Sequence, residues 1–190
     1  MSGPSGTIAV VLAAGLSQRF GGDKLLFPLQ GKPLAAHIAS TLGAIDVAHR
    51  IAICSTSEAR QAIFAAQGFE IIENAHPGRG MASSLALGAQ RALDLGAERM
   101  LVCLADMPFV TAAHLHQLMA ADGKVVATAA GGVRSPPAVF LREVFPALTL
   151  LTGDAGARHL LQAAAVVEAT PAMVRDFDLP SDFRQAGEQL

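Results

Sequence analysis

Short apolar runs alternate with segments of helical periodicity along most of the chain, and this alternation constrains the fold more than any other feature. The strand-like runs include "TIAVVLAA", "RIAICS", "FEIIEN", "RMLVCLAD" and "KVVATAA". The helical segments between them include "PLAAHIASTL", "EARQAIFAAQ", "MASSLALGAQRALDL" and "TAAHLHQLMAA". Such alternation produces right-handed crossovers and a mostly parallel sheet with helices on both faces. The sequence therefore predicts an α/β protein with a three-layer sandwich architecture.

The second half of the chain is less regular. It contains "PAVFLR", "REVFPAL", "DAGARHLLQAA", "AVVEAT" and "AMVRDFDLP". This pattern predicts at least one antiparallel strand added to the parallel core. At 190 residues the chain is expected to form one domain over 1–190, with residues 1–6 disordered.

Composition excludes several classes of function. Apolar residues make up 52% of the chain and charged residues 16%, which fits strands covered on both faces. A net charge of −2 without a Lys or Arg run argues against binding to nucleic acid. No apolar stretch approaches the roughly 20 residues of a membrane span, and "MSGPSG" does not resemble a signal peptide. We expect a cytoplasmic protein with no membrane association.

The cysteines and histidines give little functional information. Cys54 and Cys103 lie inside strand-like runs without metal-ligand spacing, so buried structural thiols are expected. His114 and His116 fit no zinc motif and are expected on the surface.

Polar loops follow four of the predicted strands. They are residues 15–24, "NAHPGRGMASS", "ADMP" and "DFDLPSD". In open α/β sheets ligands bind beyond the carboxyl ends of the strands. We therefore expect these loops to converge on one site.

The first loop combines small residues with two cations. It is neither a Walker loop nor a dinucleotide fingerprint, because GxGxxG and a Lys-Ser or Lys-Thr pair are both missing. Backbone N–H groups can close on an anion where side chains are missing, so the loop is a candidate phosphate site. A plain surface turn with solvated charges is the alternative. The residues in question are Ala13, Ala14, Gly15, Arg19, Gly21, Gly22 and Lys24.

Gly80, Ser83 and Ser84 fall at a predicted helix start, where free N–H groups favour a polar or anionic ligand. Simple capping by serine is equally consistent with the pattern. Asp106 ends a hydrophobic strand, which is poor strand chemistry unless the carboxylate binds something such as Mg²⁺. Asp176 and Asp178 are two residues apart and are expected to share one strand face. Either could supply a second carboxylate, unless both are simply solvated.

The sequence contains no Ser-His-Asp order or Cys-His pair that would indicate a nucleophile with its general base. A reaction whose nucleophile arrives already ionised, such as a phosphate monoester, needs positioning and charge neutralisation instead.

Six fragments in order resemble the nucleotidyltransferase family that activates the molybdenum cofactor, most closely its cytidylyltransferase branch. They are "LAAGLSQRFGGDKLL", "GMASSL", "LADMP", "PAVF", "GDAGAR" and "DFDLPSD". The resemblance covers nearly the whole chain. It implies a Rossmann-like fold and Mg²⁺-dependent transfer of CMP from CTP to the terminal phosphate of molybdopterin, with release of pyrophosphate.

The resemblance also implies roles for individual residues. Lys24, Arg19 and Asp106 are the expected catalytic residues, and Asp106 with Asp178 the Mg²⁺ ligands. Asp178 is favoured over Asp176 because it lies two residues before Pro180, whereas Asp176 is expected to stay solvated or to pair with a cation such as Arg175. Acceptor-binding residues are Asp154 and Arg158. The nucleotide-binding residues are Leu12, Ala13, Ala14, Gly15, Arg19, Lys24, Gly80, Ser83 and Ser84.

The resemblance leaves the acceptor less certain than the nucleotide. Family members that use guanine usually carry LAGG, whereas this chain has Ala14 in that motif. Ser135 and Pro136 replace the glycine that often precedes "PAVF", in the half expected to hold the acceptor. Another phosphorylated acceptor, or cofactor delivery without turnover, therefore remains an alternative. The implied protein is a monomer in transient contact with a molybdoenzyme or its chaperone.

Overall fold

A computed structural model describes residues 6–153 and 158–183. The strands are β1 (Thr7–Ala13), β2 (Pro28–Leu29), β3 (Lys32–Pro33), β4 (His49–Cys54), β5 (Glu70–Glu73), β6 (Arg99–Leu104), β7 (Val125–Ala130), β8 (Val133–Leu141) and β9 (Ala165–Glu168). The helices are α1 (Leu34–Gly43), α2 (Glu58–Ala65), α3 (Met81–Asp94), α4 (Ala112–Ala120), α5 (Phe145–Thr149) and α6 (Arg158–Gln162). Short 3₁₀ helices span Lys24–Leu26, Pro77–Arg79 and Arg142–Val144.

Seven strands form one sheet in the order β5-β4-β1-β6-β8-β7-β9. β8 runs antiparallel to both of its neighbours, β6 and β7, and the other neighbouring strands pair in parallel. β2 and β3 form a separate antiparallel pair. The predicted α/β class, the mostly parallel sheet and the added antiparallel strand are confirmed.

Helices cover both faces of the sheet, which confirms the three layers. Side chains of α1, α2 and α4 pack into one apolar cluster, and those of α3, α5 and α6 into the other. Along β1, Ala9 and Val11 face the first cluster while Ile8 and Val10 face the second. A strand buried on both faces reads as a continuous apolar run, which explains "TIAVVLAA". At Gly88 a Cβ would lie 2.9 Å from Val10 Cγ1, so α3 packs directly against β1.

The buried thiols are confirmed, and one histidine is a correction. Cys54 and Cys103 are fully buried, and burial raises the pKa of the Cys54 thiol to about 11. His116 is exposed as expected, but His114 in α4 is 2% exposed. Its Nε2 lies 2.8 Å from Thr128 Oγ1, and that hydroxyl donates to the Pro137 carbonyl. Because the Thr128 proton is used there, the His114 Nε2–H is the donor.

The segment "AMVRDFDLP" is not a strand, so the expected strand face shared by Asp176 and Asp178 is wrong. A turn at 171–174 leads into an irregular extended stretch and then a helical turn at 180–183. Phe177 is fully buried between the rings of Phe109 and Phe183, with centroids 5.8 and 4.9 Å away. Aromatic packing, rather than a sheet ladder, holds this segment in place.

Two expectations concern the chain ends and membranes. Of the stretch 1–6 that was expected to be disordered, only Gly6 lies within the described residues, where its carbonyl accepts a hydrogen bond of 2.8 Å from the Glu98 N–H. Over 6–153 and 158–183, no helix has both the length and the apolar character to span a membrane.

Candidate active site

A cavity of about 540 Å³ lies at the carboxyl ends of β1 and β6. These strands are neighbours, and the chain leaves them toward opposite edges of the sheet. Ligands of open α/β sheets bind at such a switch point. The cavity wall includes many of the sequence-predicted residues, namely Leu12, Ala13, Ala14, Gly15, Arg19, Lys24, Gly80, Ser84, Asp106 and Asp178.

The first loop offers its backbone to a ligand. Between Gly15 and Gly22, the Phe20 N–H donates to the Ser17 carbonyl at 3.0 Å, and no other N–H of this stretch bonds to a described residue. Gly21 has a φ of 77°, a backbone conformation that residues with a side chain rarely adopt. Unpaired N–H groups beside two cations suit an anion such as a phosphate chain.

Lys24 closes the loop and reaches two carboxylates. Asp23 caps the short 3₁₀ helix by accepting a hydrogen bond from the Leu25 N–H at 3.1 Å, which fixes the direction of Lys24. Lys24 Nζ donates to Asp106 Oδ2 at 2.7 Å and to Asp178 Oδ1 at 2.6 Å. The ammonium group therefore joins the end of the first loop, the loop after β6 and the C-terminal segment at one point.

The two carboxylates stabilise the charged form of Lys24. Burial lowers the pKa of Lys24, but the attraction and hydrogen bonds of Asp106 and Asp178 outweigh burial, so that pKa is raised above its usual 10.5. Lys24 is consequently charged at neutral pH. Asp106 Oδ1 is buried and has no hydrogen-bond partner among the described residues, whereas Oδ2 is paired with Lys24. Buried polar atoms in proteins usually have a partner, so this oxygen is a candidate ligand for a cation.

A second acid holds the segment that presents Asp178. Asp182 Oδ2 accepts hydrogen bonds from the backbone N–H groups of Asp178 and Leu179 at 2.9 and 2.7 Å. Burial raises the pKa of Asp182, but these bonds and Arg175 outweigh it, so its pKa is lowered. Arg19 is 81% exposed, with its Nη1 3.7 Å from Asp178 Oδ2. It can move toward a ligand at little cost.

Asp176 is exposed, as expected of a solvated acid, but the charges of the site still affect it. Its pKa is raised, first by partial burial and then by the negative charges of Asp106 and Asp178. Arg175, which was named as one possible partner of Asp176, donates to Asp182 Oδ1 at 3.4 Å. Asp176 and Asp178 therefore contribute to one region of negative potential although no strand joins them.

The start of α3 forms the opposite wall. Gly80 precedes the helix with a φ of 82°. Ser84 lines the cavity and Ser83 does not. The Ser83 hydroxyl donates to the Gly80 carbonyl at 2.9 Å. Asn74, which the sequence interpretation missed, is 2% exposed, and its Nδ2 donates to both serine hydroxyls at 2.9 Å. A polar residue directly after the β5 run was the only available signal.

The two predicted acceptor residues lie outside this geometry. Asp154 falls outside the described residues, and Arg158 is an exposed residue at the start of α6 that is not on the cavity wall. Their role stays a prediction.

The residues at the cavity suit a hard divalent cation. Mg²⁺ keeps several waters and is usually held by one or two carboxylates together with substrate phosphates. Asp106 and Asp178 supply two carboxylates, and the unpartnered Asp106 Oδ1 is the observation that favours a cation there. Within the part of the chain that the structure describes, no group of three or more His, Cys, Asp and Glu side chains forms a metal site. A cation would thus depend on nucleotide phosphates for its remaining ligands.

A match to a nucleotidyltransferase family identifies the class of protein to which this fold and cavity belong. Residues 9–169 match the family described as MobA-like NTP transferase domain. The chain therefore belongs to that family.

Curated relatives are similar to the chain in sequence, and solved structures are similar to it in fold. The chain is 31% identical over 193 residues to the purine catabolism protein PucB of Bacillus subtilis, which covers 93% of each protein. It is 39% identical over 84 residues to a probable molybdenum cofactor guanylyltransferase of Pyrococcus horikoshii, which covers 43% of each. A manganese complex of Rv0371C from Mycobacterium tuberculosis superposes with a TM-score of 0.79 at 22% identity, covering 98% of this chain and all of that one.

Proposed function

We propose that the protein transfers CMP from CTP to the terminal phosphate of a molybdopterin-type cofactor and releases pyrophosphate. The observation that carries the proposal is the position of Lys24, whose ammonium lies between Asp106 and Asp178 on the wall that it shares with the first loop. Transfer of a nucleotidyl group between phosphates needs positive charge, from side chains and from a metal held by carboxylates, at the reacting phosphorus.

The chemistry is an exchange at the α-phosphorus of the nucleotide. An oxygen of the acceptor phosphate attacks this phosphorus and forms a new P–O bond. The bond from the α-phosphorus to the bridging oxygen breaks, and pyrophosphate leaves with the electron pair. The acceptor is already ionised at neutral pH, so no general base is needed, which is consistent with the lack of a recognisable base in the sequence.

Lys24 and Arg19 would neutralise the charge that develops. Lys24 is 11% exposed and fixed by two carboxylates, so it suits the transferring phosphoryl group. Arg19 is far more exposed and suits the departing phosphates. Asp106 and Asp178 would hold Mg²⁺, which when bound would screen the triphosphate. The manganese complex of Rv0371C supports a divalent-cation site in this fold.

The small residues of the first loop would accept the nucleoside. A Cβ added at Gly15 would meet nothing within 4 Å, so this part of the wall is open. Ala13 and Ala14 leave room for a base and ribose beside the backbone, with Gly80 and Ser84 opposite. Cytosine is proposed from the resemblance, because Ala14 stands where guanine-using members usually have glycine.

The molybdopterin acceptor rests on the sequence motifs and on the Pyrococcus relative, whose name refers to the molybdenum cofactor. Asp154 and Arg158 are proposed to contact this acceptor, since "GDAGAR" is one of the shared motifs. A molybdoenzyme or its chaperone would receive the product.

A second candidate is transfer of a nucleotidyl group to another phosphorylated acceptor, such as a sugar phosphate or methylerythritol phosphate. The sequence "GGVRSPPAVF" favours it, because Ser135 and Pro136 depart from the family pattern in the acceptor half. Delivery of cofactor without turnover is disfavoured, since a carrier has no use for Lys24 held between two carboxylates.

The decisive experiment supplies the purified protein with each of the four nucleoside triphosphates, Mg²⁺ and isolated molybdopterin, and follows pyrophosphate. Mass spectrometry of the product should show the cytosine dinucleotide. Parallel reactions contain a sugar phosphate or methylerythritol phosphate instead of molybdopterin. Turnover only with those acceptors supports the second candidate, and cofactor binding without pyrophosphate supports delivery. Asp106→Asn is the matched inactive control.

A further inference from the structure

A buried arginine outside the cavity fastens the first loop at both of its ends. Arg60 lies in α2 and is 5% exposed. Arginine is rarely buried unless its guanidinium group has partners. Its side chain comes from a part of the chain 37 to 47 residues away from the groups that it contacts. Neither the sequence motifs nor the cavity wall includes it.

The N–H groups of the Arg60 guanidinium all donate to residues in or next to the first loop. Nη1 donates to the carbonyls of Ala13 at 3.0 Å and Gly15 at 2.7 Å, at the start of the loop. Nε donates to Asp23 Oδ2 at 2.6 Å, at the end of the loop. Nη2 lies 3.5 Å from the hydroxyl of Ser17, whose φ of 51° is uncommon for a residue with a side chain.

We infer that Arg60 is a positioning residue that holds the first loop in its nucleotide-binding shape before the nucleotide arrives. The inference rests on the proposal that nucleotide binds in this cavity. Arg60 does not line the cavity, so it acts through the loop backbone and through Asp23 rather than by touching substrate.

The connection to Lys24 is direct. Asp23 uses one carboxylate oxygen for Arg60 and the other for the Leu25 N–H, which begins the 3₁₀ helix that carries Lys24. Loss of Arg60 would leave Asp23 without its cation and would release the Gly15 carbonyl. The loop would then sample shapes in which its N–H groups and Lys24 no longer converge.

Such a change lowers the fraction of protein that is ready to bind. Apparent affinity falls in proportion to that fraction, so a loop that is competent one tenth of the time binds its ligand about tenfold more weakly. Once nucleotide is bound, the loop is closed again and the chemical step is little altered. The expected signature is therefore a raised KM for the nucleotide with a kcat changed less than about threefold.

The test compares Arg60→Met with wild-type protein by calorimetric titration of Mg-CTP and Mg-GTP, by steady-state kinetics, and by hydrogen exchange of the peptide covering residues 14–23. We expect an increase in Kd of about tenfold. Exchange of that peptide should accelerate in the free protein and slow again at saturating nucleotide. Arg60→Lys should restore little, because a single ammonium cannot serve both loop ends as a planar fork does.

Two further variants keep the inference separable from folding and from the proposed function. Arg91→Met removes another arginine–carboxylate pair, with Glu70 at 2.9 Å, that is partly exposed and far from the first loop in sequence, and should leave Kd unchanged. Asp23→Asn cuts the loop-end contact alone, and its effect should not add fully to that of Arg60→Met. If wild-type protein binds neither nucleotide, the proposed function fails. If wild-type binds and Arg60→Met binds equally well with unchanged loop exchange, the inference is wrong.

Discussion

Replacing Lys24 with methionine tests the central feature of the site, since it removes the ammonium and keeps a chain of similar length. Lys24 is 11% exposed, and its Nζ lies 2.7 Å from Asp106 Oδ2 and 2.6 Å from Asp178 Oδ1. The variant leaves two carboxylates facing each other, with a third negative charge from Asp176 nearby. Stability and catalysis should both change, for different reasons.

The stability effect lies between two known limits. Removing one partner of a fully buried ion pair costs about 3–5 kcal/mol, and exposed pairs contribute about 0–1 kcal/mol. Asp106 is 19% exposed and Asp178 is 41% exposed, so the expected loss is about 1–3 kcal/mol. For a chain of this size that corresponds to a fall in Tm of roughly 2–12 °C. The pKa of Lys24 is raised above 10.5, so this contribution is present at neutral pH and is lost only as the pH rises through that raised value.

A divalent cation should act differently on the two proteins. In Lys24→Met the space between the carboxylates is open to Mg²⁺, whereas in wild-type protein the ammonium must leave first. Without nucleotide, millimolar Mg²⁺ should therefore raise the Tm of the variant more than that of the wild type. Turnover should nevertheless fall about 10²-fold or more in kcat, which corresponds to a loss of about 2.7 kcal/mol of transition-state stabilisation.

Thermal unfolding in EDTA and across a Mg²⁺ series measures these effects, with Arg91→Met as the control for loss of a surface arginine. Kinetics on the same preparations give kcat. A variant that is as stable as wild type in EDTA, and no more responsive to Mg²⁺, would refute the electrostatic reasoning. Near-normal turnover would remove Lys24 from the mechanism.

Three further predictions follow from the charges of the site and the core. Calorimetry should show CTP binding that weakens strongly in EDTA, and equal affinity without divalent metal would contradict the cation site. Asp178→Asn should raise the Mg²⁺ concentration needed for half-maximal activity, and Asp176→Asn should change it less; the reverse order in a Mg²⁺ titration would assign the role to Asp176. Burial lowers the pKa of His114, so its contribution to stability is present above about pH 6.5 and is lost as the unfolded chain takes up a proton below that. His114→Gln should therefore flatten the dependence of Tm on pH between about 7 and 5, as thermal unfolding at several pH values would show.

Much of the architecture could be predicted because strand and helix periodicities differ. "TIAVVLAA" and "RMLVCLAD" became β1 and β6, two neighbouring parallel strands buried on both faces. Since ligands gather at the carboxyl ends of such strands, the loops that follow them already indicated where a cavity would form. The cavity wall indeed includes Lys24 and Asp106.

The errors arose where tertiary packing decides the local structure. "AMVRDFDLP" has the alternation of a strand, but the alternation reflects Phe177 packed among aromatic rings, with acids on either side of it. His114 was expected on the surface because its spacing from His116 fits no zinc motif, and nothing in α4 signals that Thr128 lies opposite it. Ser83 stays a predicted nucleotide-binding residue, and its hydroxyl donates to the Gly80 carbonyl in the structure.

Long-range partners of a loop leave no signal in a single sequence. Arg60 lies in a helix whose sequence, "EARQAIFA", is typical of a solvent-facing helix with one apolar edge. Only the folded chain shows that α2 places this guanidinium beneath the first loop, where it contacts carbonyls that any residue would supply. Every residue type carries a backbone carbonyl, so no sequence motif shows which carbonyls will accept a hydrogen bond from a distant side chain.

The end of the first loop is attached to the rest of the protein through two adjacent residues, Asp23 and Lys24. Asp23 connects the loop to Arg60 in α2, while Lys24 connects it to Asp106 beyond β6 and to Asp178 near the C-terminal end of the described chain. In the first connection the Arg60 side chain is 6% exposed, and neither Arg60 nor Asp23 lines the cavity, so a bound nucleotide would not compete for it. The second lies on the cavity wall, where a triphosphate would compete for the ammonium and a cation would compete for the carboxylates. The loop therefore has one permanent attachment and one that substrate can replace, and such a division lets the site reorganise its charges without losing its shape.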